Sequence, residues 1–83
     1  SGIYQMNPEL RSSLSAALNQ LPEKRKKIFE LKHIHGYSYK EIADALGISI
    51  KTVDNQLLKA VSDLRKSLSS SQFVLFYILF FFE

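Results

Sequence analysis

Lys51, Thr52, Asn55, Gln56 and Lys59 recur three and four positions apart, so a helix would gather them on one polar face. Their chemistry suits the edges of nucleic-acid bases. Asparagine and glutamine amides match the donor and acceptor of adenine, lysine prefers guanine or phosphate, and a threonine methyl can touch a thymine methyl. Asp54 falls off the central line of this face, near a cytosine amino group or in solvent. Any exposed helix carries polar residues, so the pattern gains its weight from what precedes it.

The stretch from Ser38 to Leu64 supplies that setting. Ser38 and Glu41 form an S-x-x-E capping box, in which the two residues satisfy each other's backbone N–H groups. Ile42, Ala43 and Leu46 give the short helix one apolar side, with Ala43 small enough for a close helix crossing. Gly47 suits the left-handed conformation that ends a helix sharply. Ile48 then plugs the corner, and Ser49 caps the next helix. Val53, Leu57, Ala60 or Val61, and Leu64 continue as an apolar stripe. A short helix, a glycine corner and a longer helix make a helix-turn-helix, which lays its second helix in the DNA major groove. Ser38, Tyr39 and Lys40 open the first of these helices, where backbone amides and a positive side chain can hold a phosphate. Packing against a neighbouring helix is the competing reading for Tyr37 and Tyr39.

Upstream, Asn7-Pro8-Glu9 reads as a helix start: a cap, a proline at the first helical position and an acid at the positive helix end. Leu10, Leu14, Ala17, Leu18 and Leu21 follow as an amphipathic stripe. Leu21-Pro22 breaks this helix and starts another. The second helix is expected from Pro22 to about His35, with Ile28, Phe29, Leu31 and Ile34 inward and Gly36 closing it. Lys24, Arg25, Lys26 and Lys27 crowd its start, where the helix dipole disfavours them. They form either a solvated face or, for one or two of them and Arg25 first, phosphate contacts flanking the groove helix. His33 and His35 are two apart and point to different sides, so they do not make a metal pair.

At 83 residues the chain has room for one small core. It holds no cysteine, which removes disulfides and thiolate metal sites and suits a reducing compartment. A formal charge of +3 permits nucleic-acid binding without demanding it, so the placement of charge matters more than its sum. The opening SGIYQMNPEL lacks the charged and apolar blocks of a secretion signal. No nucleophile–base set, paired carboxylates or glycine-rich phosphate loop can be assembled. Neither catalysis nor a cofactor is expected.

From Leu21 to about Leu68 the chain resembles region 4 of bacterial sigma factors, particularly the extracytoplasmic-function (ECF) type. The resemblance is carried by LPEKRKKIFEL, by GYSYKEIADALGIS and by KTVDNQLLKAVSDLRK. It implies an all-helical, cytoplasmic domain that binds the −35 promoter element and contacts the RNA polymerase core. It further implies that Lys51, Thr52, Asn55, Gln56 and Lys59 face bases and phosphates, and that an anti-sigma factor is a partner. Many family members carry a more arginine-rich groove helix. The output domain of LuxR-type response regulators shares the G-x-S-x-K-E-I-A and I-S-x-K-T-V segments and is the alternative. A third reading makes the helix-turn-helix a scaffold for protein contacts.

Behind Ser69-Ser70-Ser71-Gln72, a polar hinge or cap, comes FVLFYILFFF. As a helix this run spans roughly 15 Å, too short for a bilayer core of ~30 Å. It either folds back over the Leu10–Leu21 helix or presents Phe73, Phe76, Tyr77 and Phe80 to a partner, with self-association the leading expectation. The expected whole is all-α: a bundle of four to five helices containing a helix-turn-helix, plus an apolar C-terminal helix. Residues 1–6 read as a linker, 7–68 as the domain and 69–83 as the tail.

Overall fold

Asn7 opens the first helix of the computed structural model, which describes residues 7–81. Five helices follow in order: α1 Pro8–Asn19, α2 Glu23–His33, α3 Tyr39–Leu46, α4 Ile50–Ser67 and α5 Ser70–Phe81. The expected linker at residues 1–6, and the last two residues of the tail, lie outside the described residues.

Local chemistry explains where each helix begins. Asn7 Oδ1 accepts the Leu10 N–H at 2.8 Å, with Pro8 in the first turn. Ser38 Oγ accepts the Glu41 N–H at 3.0 Å, while the Ser38 N–H donates back to Glu41 Oε1 at 2.8 Å. Ser49 Oγ takes the Thr52 N–H at 3.0 Å. Ser69 and Gln72 make a second reciprocal box, at 3.1 and 3.3 Å, that starts α5. Each such cap satisfies N–H groups that have no partner within the helix.

Helix ends differ more from expectation. Pro22 is the residue before α2 rather than its first helical position, with an extended backbone (ψ 143°). The helix stops at His33, two residues early: the Ile34 N–H still makes the helical bond to the Glu30 carbonyl, but the His35 N–H goes back to that same carbonyl instead of to Leu31. Gly36, at φ 76°, then reverses the chain. Gly47 ends α3 at φ 66°, and both it and Ile48 donate to the Ala43 carbonyl. That double bond tightens the corner and sets the angle at which α4 departs.

The core is built around α4, which packs against each of the other four helices. Val53, Leu57, Ala60 and Leu64 are its buried positions, which decides between Ala60 and Val61 in favour of alanine. They meet Leu10, Leu14, Ala17, Leu18 and Leu21 from the first helix and its exit, Ile28 and Phe29 from α2, and Ile42 and Ala43 from α3. Leu46, expected on the apolar side of α3, is 36% exposed at the end of that helix. Tyr37 lies outside the core as well, at 46%.

The tail corrects a larger expectation. Phe76 is wholly buried, and Phe73 and Phe80 pack against the core, so three of the four residues expected to face a partner point inward. Phe76 meets Phe29 at a ring separation of 5.9 Å, and Phe80 reaches Phe29 at 6.2 Å and His33 at 5.6 Å. Near its start, α5 is tied to α1 by Gln72 Nε2 donating to Ser13 Oγ at 2.9 Å. Of the expected set only Tyr77 faces out, at 50% exposed. A helix apolar on every side gives no periodicity from which its inner face can be read.

Candidate nucleic-acid interface

Turning Val53, Leu57, Ala60 and Leu64 inward leaves Lys51, Asn55 and Lys59 exposed on α4. These three stand one turn apart in a row that presents two ammonium groups around a carboxamide. Such a row can donate to phosphates at its ends and bond a base edge at its centre. Thr52 is half-buried beside them, and its hydroxyl lies 2.9 Å from Ser49 Oγ.

Gln56 does not belong to that row. It is half-buried on the flank of α4 that faces α2, and its Oε1 accepts from Arg25 Nε at 3.1 Å. The same guanidinium donates from Nη1 to Asp63 Oδ2 at 2.6 Å. The Arg25 side chain is only 18% exposed. The sequence pattern placed Gln56 among base-facing residues and Arg25 on a phosphate; the structure turns both toward each other. The physical reason is their position. Gln56 lies three residues from Val53 and four from Ala60, at the edge of the buried stripe, and α2 crosses directly above it.

At the N-terminus of α3 the same kind of accounting applies. The Ser38 N–H, expected to hold a phosphate, is already bonded to the Glu41 carboxylate. That bond and the Ser38 hydroxyl hold the Glu41 carboxyl below the usual carboxylate range, so it stays ionised at the positive helix end. Lys40 is exposed and pairs with Asp44 at 2.9 Å, which raises its ammonium above the ordinary lysine range. One donor is used there and two remain free for a phosphate. Tyr39 is half-buried; burial, and to a smaller extent Asp54, pushes its phenol up. Lys32 lies over the Tyr39 ring, 5.5 Å from its centre. This adds a cation to the α3 end that the sequence pattern did not single out.

Leu58 was also missed. It is 62% exposed on the outer side of α4, three residues after Asn55 and seven after Lys51. Helical spacing places it on that side, outside the stripe of Val53, Leu57, Ala60 and Leu64. An exposed leucine on this face offers methyl groups to a thymine methyl. The expected site thus resolves into three parts: an outer row of Lys51, Asn55, Leu58 and Lys59, an α3 end with Tyr39, Lys40 and Lys32, and an inner clamp of Arg25, Gln56 and Asp63.

No group of three or more histidine, cysteine or acidic side chains is arranged to hold a metal among the described residues. Among the same residues, no helix is long and apolar enough to cross a membrane.

Comparison with known proteins separates the readings that the sequence left open. Residues 11–64 match the family model described as Sigma-70, region 4. RNA polymerase sigma factor SigO of Bacillus subtilis (strain 168) is 32% identical over 59 residues, covering 71% of this chain and 34% of that relative. The chain therefore spans about a third of the length of the curated relative it matches. No solved structure matches it. The matched segment runs from α1 to the last buried turn of α4 and leaves α5 outside. The chain belongs to the sigma-70 region 4 family, the ECF-like group its motifs pointed to, whose domain recognises the −35 promoter element and contacts RNA polymerase.

Proposed function

We propose that residues 7–68 read the −35 element by placing α4 in the major groove, with Asn55 and Leu58 toward the bases. On this reading Lys51 and Lys59 hold the flanking phosphates, and Lys40 and Lys32 hold the backbone at the end of α3. The observation that supports it is the outer row of α4, exposed on a helix that the rest of the fold fixes from every other side. The row contains no arginine, so it lacks the bidentate contacts to guanine that give the strongest base recognition. Binding by the isolated domain is therefore weak, and the parent protein gains specificity when core polymerase holds the domain at the promoter. An anti-sigma factor is the further partner that the family resemblance supports. Work on promoter DNA belongs in the cytoplasm, which the cysteine-free sequence suits.

Selection of DNA from a randomised duplex pool, with the parent protein bound to core polymerase, tests this proposal. A recovered −35-like consensus that changes on Asn55→Ala is the expected result. Recovery of the same consensus from wild type and variant removes Asn55 from the reading set, and recovery of no consensus removes the proposal.

A further inference from the structure

The exposed side of α5 is a second apolar face with its own order. Val74, Tyr77, Ile78 and Phe81 are 55, 50, 49 and 39% exposed, at spacings of three, one and three that line them up on one side of the helix. Val74 and Ile78 form an aliphatic row. Tyr77 and Phe81 form an aromatic row beside it, their rings stacked at 5.0 Å. An open groove of about 370 Å³ runs along the same side, lined by Arg65, Phe73, Val74, Tyr77 and Ile78.

These four positions are symmetric about the midpoint between residues 77 and 78, with Leu75, 47% exposed, on their flank. In an antiparallel pair of α5 helices, Val74 of one copy faces Phe81 of the other, and Tyr77 faces Ile78. Every facing pair then joins one aromatic with one aliphatic side chain, and the aromatic row of each copy enters the aliphatic row of its partner. This is ridge-into-groove packing between two identical surfaces. We propose that this face of α5 is the contact surface for a second copy of the chain, in a two-fold antiparallel pair.

Charge supports that occupant over a charged partner. No charged residue occurs between Ser70 and Phe81, so two copies bring no like charges together along the seam. Arg65 borders only the Val74 end, and the two-fold places the two Arg65 side chains at opposite ends of the pair. A helix of 12 residues is ~18 Å long, short of a bilayer core. The exposed side chains present on the order of 400 Å² of apolar surface per copy, within the size of functional surface patches. A pair buries about twice that, below the ~1,200 Å² at which stable interfaces begin. The dimer is accordingly one that dissociates on dilution.

Sedimentation equilibrium of the full chain, from micromolar to near-millimolar concentration, tests the pairing. A reversible monomer–dimer equilibrium is expected, with a dissociation constant raised at least tenfold by Ile78→Lys and by Val74→Lys. Both positions are exposed, so helicity by circular dichroism stays unchanged. The double exchange Tyr77→Ile with Ile78→Tyr keeps the facing pairs and retains the dimer. A monomer at every concentration, open-ended aggregates, or lysine variants that associate as tightly as wild type would overturn the proposal.

Discussion

Arg25 and Asp63 lie 38 positions apart in the chain, yet the guanidinium of one meets the carboxylate of the other at 2.6 Å and fastens α2 to α4. Because Gln56 accepts from the same arginine, one side chain braces α4 at two points two turns apart. Arg25→Ala is expected to lower stability by about 1–2 kcal/mol, since a partly buried carboxylate and amide lose their donor. Thermal unfolding measures that loss. The dependence of DNA affinity on salt should not change, because the guanidinium is engaged by Gln56 and the Asp63 carboxylate rather than held out to a phosphate.

Lys59→Ala reverses that pattern. An exposed lysine at the end of the outer row contributes little to folding, so stability should change by no more than about 0.5 kcal/mol. Affinity for all DNA sequences should fall, and the slope of log affinity against log salt should flatten by about one. Anisotropy titrations at several salt concentrations, on two unrelated duplexes, give both quantities. A slope unchanged from wild type would take Lys59 off the phosphate backbone.

Gly47→Ala tests the corner. The backbone there is left-handed at φ 66°, and an added Cβ meets no atom within 4 Å. The cost is therefore conformational rather than steric, about 1 kcal/mol. Gly47→Asn should cost less, since asparagine tolerates the left-handed region. Equal losses for the two variants in denaturant melts would point to a steric cause.

His33 gives the fold a pH dependence. Burial, with Lys32 adding, lowers its pKa to about 4, and the α5 side chains that pack on it, Phe80 and Phe81, carry no charge. The unfolded chain binds this proton near pH 6.5, before the folded chain does, so folding is favoured above that pH. Stability should decline between about pH 6.5 and 4, by on the order of 1 kcal/mol once solvent screening of the partly exposed ring is counted. His33→Phe removes that part of the decline, which melts at pH 7 and pH 4.5 compare directly.

Phe76→Ala removes the ring that seats α5 on Phe29. A buried phenylalanine truncated to alanine costs ~3–5 kcal/mol where the element stays docked, and a 12-residue terminal helix can detach before that full loss is felt. Hydrogen exchange should show α5 losing protection while Val53, Leu57 and Leu64 keep theirs. Simultaneous loss in α4 would mean that α5 is integral to the core.

The caps and corners were the most legible parts of the chain, because Asn7, Ser38, Gly47 and Ser49 act on their own backbone within a few residues. Contacts that depend on another helix were not. Nothing near Gln56 announces that Arg25, 31 positions earlier, will claim its carbonyl oxygen. Leu58 has the character of a core residue and a place on the outer side of α4; only exposure separates the two. For α5 the alternation that marks an inner face is missing, so Phe76 and Ile78 look alike in sequence and differ only in place.

Between α4 and α5 the chain leaves the helical path only at Leu68 and Ser69, and Leu68 is buried. That joint is short and anchored, so it acts as a stiff elbow. Its upper arm is an 18-residue helix, about 27 Å of rod, with Lys51 and Asn55 near its far end. Torque applied to α5 is thereby delivered along the rod to the end that carries Lys51 and Asn55, so under the proposed reading whatever grips the aromatic forearm holds a handle on the reading head.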